Sequence, residues 1–176
     1  MPQAVILLCA LTPYLAILAY QDCRYRRLPN ALTLGGAFLA LAVRYALGFP
    51  LGNEGLLGGL LCGLFLLLPF VLRAAGGGDV KMLFAVGCAL GVSRAMELIL
   101  FTSLAGLALM LAMLVWGHVD PSRLRHFLRS AFDWRYDRKA GRAALPPKDS
   151  ERCRVPFGVA IAAGAWAALI WEIALG

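Results

Sequence analysis

Residues 4–20 read AVILLCALTPYLAILAY, an unbroken run from Ala4 to Tyr20 without a charge. At 1.5 Å of rise per residue, about 17 helical residues is the least that crosses a hydrocarbon core of ~30 Å. A cleaved export signal carries Lys or Arg ahead of its apolar core. Here positions 1–21 hold none, and the first basic residues, Arg24, Arg26 and Arg27, come after the run. The stretch is therefore expected to stay in the bilayer as a first span, with the N-terminus outside.

The rest of the chain extends this pattern. Of 176 residues, 61% are hydrophobic and 15% are charged, and the mean hydropathy is +0.75. A soluble domain carries about 25% charge, so this chain has too little polar surface to face water all round, and far too much apolar sequence to be disordered. Lipid is its solvent. Further apolar stretches lie at about 31–48, 55–72, 82–97, 98–116 and 155–175, and a basic loop occupies 117–154. The expected fold is an all-α polytopic membrane protein of about six transmembrane helices in one domain, with both termini outside, on the periplasmic side.

Charge placement decides between six crossings and a re-entrant fourth segment. With six, the first loop carries three Lys or Arg, the 73–81 turn two and the long loop ten, so 15 of the 17 lie on one side. Only Arg44 and Arg94 lie elsewhere. A re-entrant fourth segment would move the ten to the outer side, against the positive-inside rule. A basic membrane face suits anionic lipid headgroups and gives no reason to expect nucleic acid, which would require a groove with interleaved aromatics. Within the long loop, Asp120 and Pro121 look like a helix cap and first turn. Leu124, Phe127, Leu128 and Ala131 then fall on one face, the pattern of a short interfacial helix.

Cys9, Cys23, Cys62, Cys88 and Cys153 are scattered and form no CxxC, so neither a disulfide framework nor a metal site is expected. Cys9, Cys62 and Cys88 read as small buried side chains within helices. Gly59/Gly63 and Gly87/Gly91 form GxxxG pairs that suit close helix packing.

In such a chain, acids near the membrane boundary carry information. Asp22 stands two residues past the first span, and Asp79 stands between the third and fourth. On the six-span arrangement they share one rim. Asp22 opens Asp22-Cys23-Arg24-Tyr25-Arg26-Arg27-Leu28-Pro29-Asn30, in which Pro29 bars a continuous helix. Asp79 closes Gly76-Gly77-Gly78-Asp79 and precedes Val80-Lys81. The glycines permit positive φ and the close approach of another chain, although a helix connector with a capping aspartate would use the same residues. Lys81 either stabilises an ionised Asp79 or contacts substrate, or else snorkels at a helix start.

Together these segments resemble the type IV prepilin peptidases, membrane aspartyl proteases with a D-x-R-x-x-x-I-P-N-like segment after the first span and G-x-G-D-x-K before the fourth. The matching residues are Asp22, Arg24, Leu28, Pro29, Asn30, Gly76, Gly78, Asp79 and Lys81, and Pro156-Phe157-Gly158 agrees with a third family motif. Leu28 replaces the usual isoleucine, and Val159 stands where a second proline is common. The resemblance implies that Asp22 and Asp79 are the catalytic pair. Gly76, Gly77, Gly78, Lys81, Arg24, Pro29, Asn30, Pro156, Phe157 and Gly158 would support the motifs or bind substrate. It also implies prepilin or pseudopilin precursors as substrates, cleavage at the cytoplasmic face of the bacterial inner membrane, and no metal or other cofactor. Larger members carry paired CxxC motifs linked to N-methylation. With none here, the chain looks like the short, peptidase-only form of tight-adherence (Flp) pilus systems, without methyltransferase activity. A small proton-coupled transporter or channel would also use intramembrane acids, but the span centres are Leu, Ala, Gly and Phe, and both acids sit at one rim. A non-catalytic scaffold would not require the aspartate motifs.

The charge asymmetry is tested by labelling single cysteines in a Cys-free background. Positions near Arg26 and Arg142 should react only from the cytoplasm, and position 53 only from outside. Labelling of the 26 and 142 regions from opposite sides would contradict six crossings.

Overall fold

The computed structural model describes residues 2–25, 28–71, 75–116 and 156–175. In lipid a backbone N–H or C=O finds no water partner, so an apolar chain satisfies its backbone within helices. The described residues form six: α1 (Pro2–Tyr25), α2 (Asn30–Leu47), α3 (Phe49–Val71), α4 (Gly77–Leu90), α5 (Val92–Val115) and α6 (Phe157–Leu175). All but α4 are long and apolar enough to cross a membrane. The interfacial helix expected near 121–131, together with His118 and His126, falls outside the described residues.

Contacts fix the directions of the helices. Gly77 at the start of α4 lies against Phe70 near the end of α3, and Gly58 lies against Gly91, so α3 and α4 are antiparallel. Gly78 meets Leu28, while Arg44 reaches Ala89, so α2 and α4 run the same way. Arg94 meets Glu172 and Gly106 meets Phe157, which makes α5 and α6 antiparallel. Asp22 near the end of α1 touches Gly158 near the start of α6. Successive helices thus alternate in direction. The last residues of α1, α3 and α5 lie at one end of the bundle with the first of α2, α4 and α6, and Gly48 and Gly91 lie at the other.

α4 has 14 residues, which span about 21 Å and fall short of a ~30 Å core. It is the inner helix of the bundle. Met82, Leu83, Ala85, Val86, Gly87, Cys88 and Leu90 are buried, and Met82, Leu83, Val86 and Leu90 share one core with Leu15 and Leu18 of α1, Leu98 of α5, and Ile161 and Leu169 of α6. One of its last carbonyls, that of Ala89, which no further turn can satisfy, is served by Arg44, which also binds the first turn of α3 at Leu51. Arg44 Nη1 donates to Ala89 O at 2.8 Å, and Nε donates to Leu51 O at 2.9 Å.

The break between α4 and α5 falls at Gly91, earlier than the 97/98 boundary expected from the sequence. Gly91 has φ +86°, a backbone state that a side chain disfavours, and this lets α5 begin one residue after α4 stops. The sequence pattern missed it because Arg94 and Glu97 look like loop residues. Arg94 instead lies within α5 and binds Glu172 of α6 through two nitrogens, with Nη2 donating to Oε1 at 2.7 Å. A charge paired in this way does not end a helix.

Glycine contacts hold α3 on α4. A Cβ on Gly58 would stand 2.4 Å from the Gly91 carbonyl carbon, and one on Gly59 would stand 2.3 Å from Cys88 Sγ. Gly87 would meet Gly58 O at 2.7 Å. Of the two GxxxG pairs, Gly59, Gly87 and Gly91 are close-packed, the last from the break and not from a helix face, whereas a Cβ on Gly63 would meet Phe84 at an ordinary 3.4 Å. Of the cysteines, Cys62 and Cys88 are buried as expected, whereas Cys9 is exposed on the outer surface of α1.

Gly91→Ala should destabilise the protein by about 1–3 kcal/mol, because it forces positive φ on a side chain and sets a methyl 2.7 Å from Arg44 Nη2. Gly35→Ala, with nothing within 4 Å, should be neutral or stabilising. Unfolding in detergent compares the two. Equal effects would contradict the role given to Gly91.

Candidate active site

The α1 helix extends past the apolar run to Tyr25, so Asp22 lies in its last turns and not in a loop. Asp22 is only 6% exposed. A buried carboxylate requires hydrogen-bond donors, and α6 provides one: Gly158 N–H donates to Asp22 Oδ2 at 2.7 Å. Gly158 is the second residue of α6, where backbone N–H groups have no partner within the helix and carry its positive end. A Cβ on Gly158 would stand 2.8 Å from that same oxygen.

Asp79 is held in a related way. It lies in the first turn of α4 and accepts the Gly76 N–H on Oδ2 at 2.9 Å, the carboxylate half of a capping box. The capping geometry foreseen as an alternative is therefore present. The glycines before it use close approach and not positive φ. Gly76 is extended at φ −81°, and the positive-φ glycines among the described residues are Gly48 and Gly91. Leu28 Cβ would stand 3.1 Å from a Cβ on Gly78, and the Phe70 ring 3.3 Å from one on Gly77. A side chain at 78 would press on Leu28 of the first motif, and one at 77 on Phe70 of α3.

The two motif segments are joined by polar contact as well. Lys81 Nζ donates to Asn30 Oδ1 at 2.8 Å across 51 residues of sequence. Pro29 precedes α2 with extended backbone, and its carbonyl receives the N–H groups of Leu32 and Thr33. Thr33 is fully buried, and its hydroxyl donates to the same carbonyl. Pro156 O receives Val159 N–H at the start of α6. Residues two apart on a helix point about 200° apart and do not face each other. This explains where the two basic residues of the motifs stand. Lys81 serves Asn30 while Asp79 faces Gly76, and Arg24 is exposed while Asp22 is buried.

The structure thus gathers the end of α1 and the starts of α2, α4 and α6 at one end of the bundle, with Asp22 and Asp79 both there. Among the described residues no group of three or more His, Cys, Asp or Glu forms a metal site. Sequence reasoning did not foresee the Gly158–Asp22 and Lys81–Asn30 bonds, because nothing in spacing links residues 136 or 51 positions apart.

The family model of the type IV leader peptidases matches residues 9–111. That stretch includes both acids and helices α2 to α4 entire. The chain belongs to the type IV leader peptidase family. No match was found among curated proteins or solved structures. Membership makes it a protease of the leader-peptidase kind, with prepilin-type substrates in general. For this leader peptidase, α6 and its Pro156-Phe157-Gly158 segment lie beyond the matched residues, yet they touch Asp22 directly.

The joint between the motifs is measured by a double-mutant cycle. Asn30→Ala and Lys81→Met should each lower unfolding stability, with a coupling of about 0.5–1.5 kcal/mol, the net value of one such bond. Additive effects would show that the bond contributes nothing in the membrane protein.

Proposed function

We propose that this protein is a membrane aspartyl endopeptidase that removes the short basic leader from type IV prepilin-like precursors, of the Flp type, at the cytoplasmic face of the bacterial inner membrane. One observation carries the reading. Asp22 and Asp79, 57 residues apart, are brought to the same end of an apolar bundle, and each is held by the N–H of a glycine at a helix N-terminus.

Two carboxyls in one site cannot both ionise easily, so one keeps a proton while the other is charged. The ionised carboxyl takes a proton from a water molecule as that water attacks the peptide carbonyl carbon, and the protonated one donates to the carbonyl oxygen. The tetrahedral intermediate then collapses as the nitrogen of the scissile bond is protonated and leaves as the new N-terminus of the pilin. The pair titrates as a unit. The chemistry runs on two carboxyls and water, so metal chelators should leave it intact, and methyl transfer has no part in it.

Orientation follows from charge. The active end is the end where the 117–154 loop with its ten Lys and Arg joins the bundle, and the positive-inside rule places that end in the cytoplasm. Anionic headgroups would neutralise the loop. A precursor whose apolar helix lies in the bilayer would present the bond just before that helix at the same depth as the two acids.

Asp22→Asn and Asp79→Asn should each abolish conversion of a precursor pilin to its shortened form, with the protein still folded and inserted. Asp→Glu at either position displaces the carboxyl by about 1 Å and should cost roughly a hundredfold. Asp133→Asn and Asp149→Asn should cleave normally. Full cleavage by either Asn variant at 22 or 79 would remove the two-carboxyl mechanism.

A further inference from the structure

On the reading that Asp22 is catalytic, we infer that Gly106 of α5 and Phe157 and Gly158 of α6 act as a positioning relay that sets the Asp22 carboxyl. None of the three carries a reactive group. Their effect comes from contact.

Gly106 is buried in α5. A Cβ there would stand 2.6 Å from Phe157 Cε2 and 3.2 Å from Cζ, so the bare glycine is the notch that receives the edge of the Phe157 ring. Phe157 is the first residue of α6, and Gly158 is the next. Seating the ring therefore fixes where the Gly158 N–H points, and that N–H donates to Asp22 Oδ2 at 2.7 Å. Toward that carboxyl Gly158 leaves no room for a side chain, since a methyl would stand 2.8 Å from the same oxygen, 3.0 Å from Asp22 Cγ and 3.1 Å from Cβ. Further along, α6 is pressed onto α5 at Gly164, where a Cβ would meet Thr102 Oγ1 at 2.5 Å. A push at Gly106 is thus met by a tight contact at Gly164, and the start of α6 is the part able to give way.

The size of the effect can be anticipated. Non-bonded carbons settle at about 3.5–4.0 Å, so a methyl at position 106 must move the ring by about 1 Å. A misplacement of that size costs a positioned reaction about a hundredfold. Position 106 is buried and its nearest neighbours are atoms of the Phe157 ring, so the loss should fall on kcat, with KM within about twofold.

The test measures precursor cleavage by the full-length protein in detergent or vesicles. Gly106→Ala should lower kcat by about a hundredfold, and Phe157→Leu in that background, which removes the two ring atoms that clash, should restore at least a tenth of native kcat. Gly158→Ala should lose kcat similarly and gain nothing from Phe157→Leu. Native kcat in Gly106→Ala, a loss confined to KM, or no rescue by Phe157→Leu would overturn the relay. Asp22→Asn separates the two readings. If it cleaves, the catalytic assignment fails, whereas if it is dead and Gly106→Ala is native, only the relay fails. An observation on the unperturbed fold stands beside these. With glycine amides labelled, the Gly158 proton should resonate downfield and move upfield in Asp22→Asn. An unmoved resonance would overturn the hydrogen bond on which the relay ends.

Discussion

A carboxylate at the end of an apolar helical bundle must be given donors by the protein, because lipid offers none and burying an unpaired charge costs several kcal/mol. Here Asp22 and Asp79 each take one from a source that a helical membrane protein always has in surplus, the unpaired N–H groups at helix N-termini. Gly158 at the start of α6 serves Asp22, and Gly76 just before α4 serves Asp79. Meeting this requirement dictates much of the rest. The end of α1 must reach the start of α6, the turn before α4 must fold back on its own acid, and both must happen at the same end of the bundle.

Close helix approach makes the arrangement possible. In lipid, apolar helices gain little by hiding from their solvent, so they associate through packing, and small residues permit the best packing. Glycines recur wherever the site's helices are pinned: Gly58, Gly59 and Gly87 between α3 and α4, Gly164 between α5 and α6, and Gly78 under Leu28. α4, which carries Asp79, is the most enclosed of these helices and the shortest. Arg44 closes its far end on the Ala89 carbonyl, so that the position of Asp79 is set from both ends of its helix.

Much of this was legible in the sequence. The uncharged run from Ala4 to Tyr20 and the basic residues that follow it gave the first span, and a rim acid after it and another after a glycine triplet gave the two candidate residues. What escaped were features that one chain's pattern does not encode. The start of α5 was misplaced because Arg94 reads as a loop residue until Glu172, 78 positions later, is seen to pair with it. The glycines before Asp79 suggested unusual φ, and they turned out to make room for Leu28 and Phe70 in ordinary backbone. The partner of Lys81 was left open between Asp79, substrate and the membrane surface, and the structure turns it to Asn30, a residue 51 positions away. Gly106 gave no signal at all, since an apolar helix with a glycine in it is commonplace.

The central claim is that two acids distant in sequence form one site. The most direct measurement replaces the native cysteines, introduces Asp22→Cys with Asp79→Cys, and asks by peptide mass spectrometry whether a mild oxidant or a short bifunctional thiol reagent joins the two positions within one chain. The pair Asn30→Cys with Lys81→Cys serves as the reference, because those side chains already meet at 2.8 Å. The account predicts intramolecular linkage of 22 to 79. Linkage of the reference pair without any between 22 and 79 would contradict it.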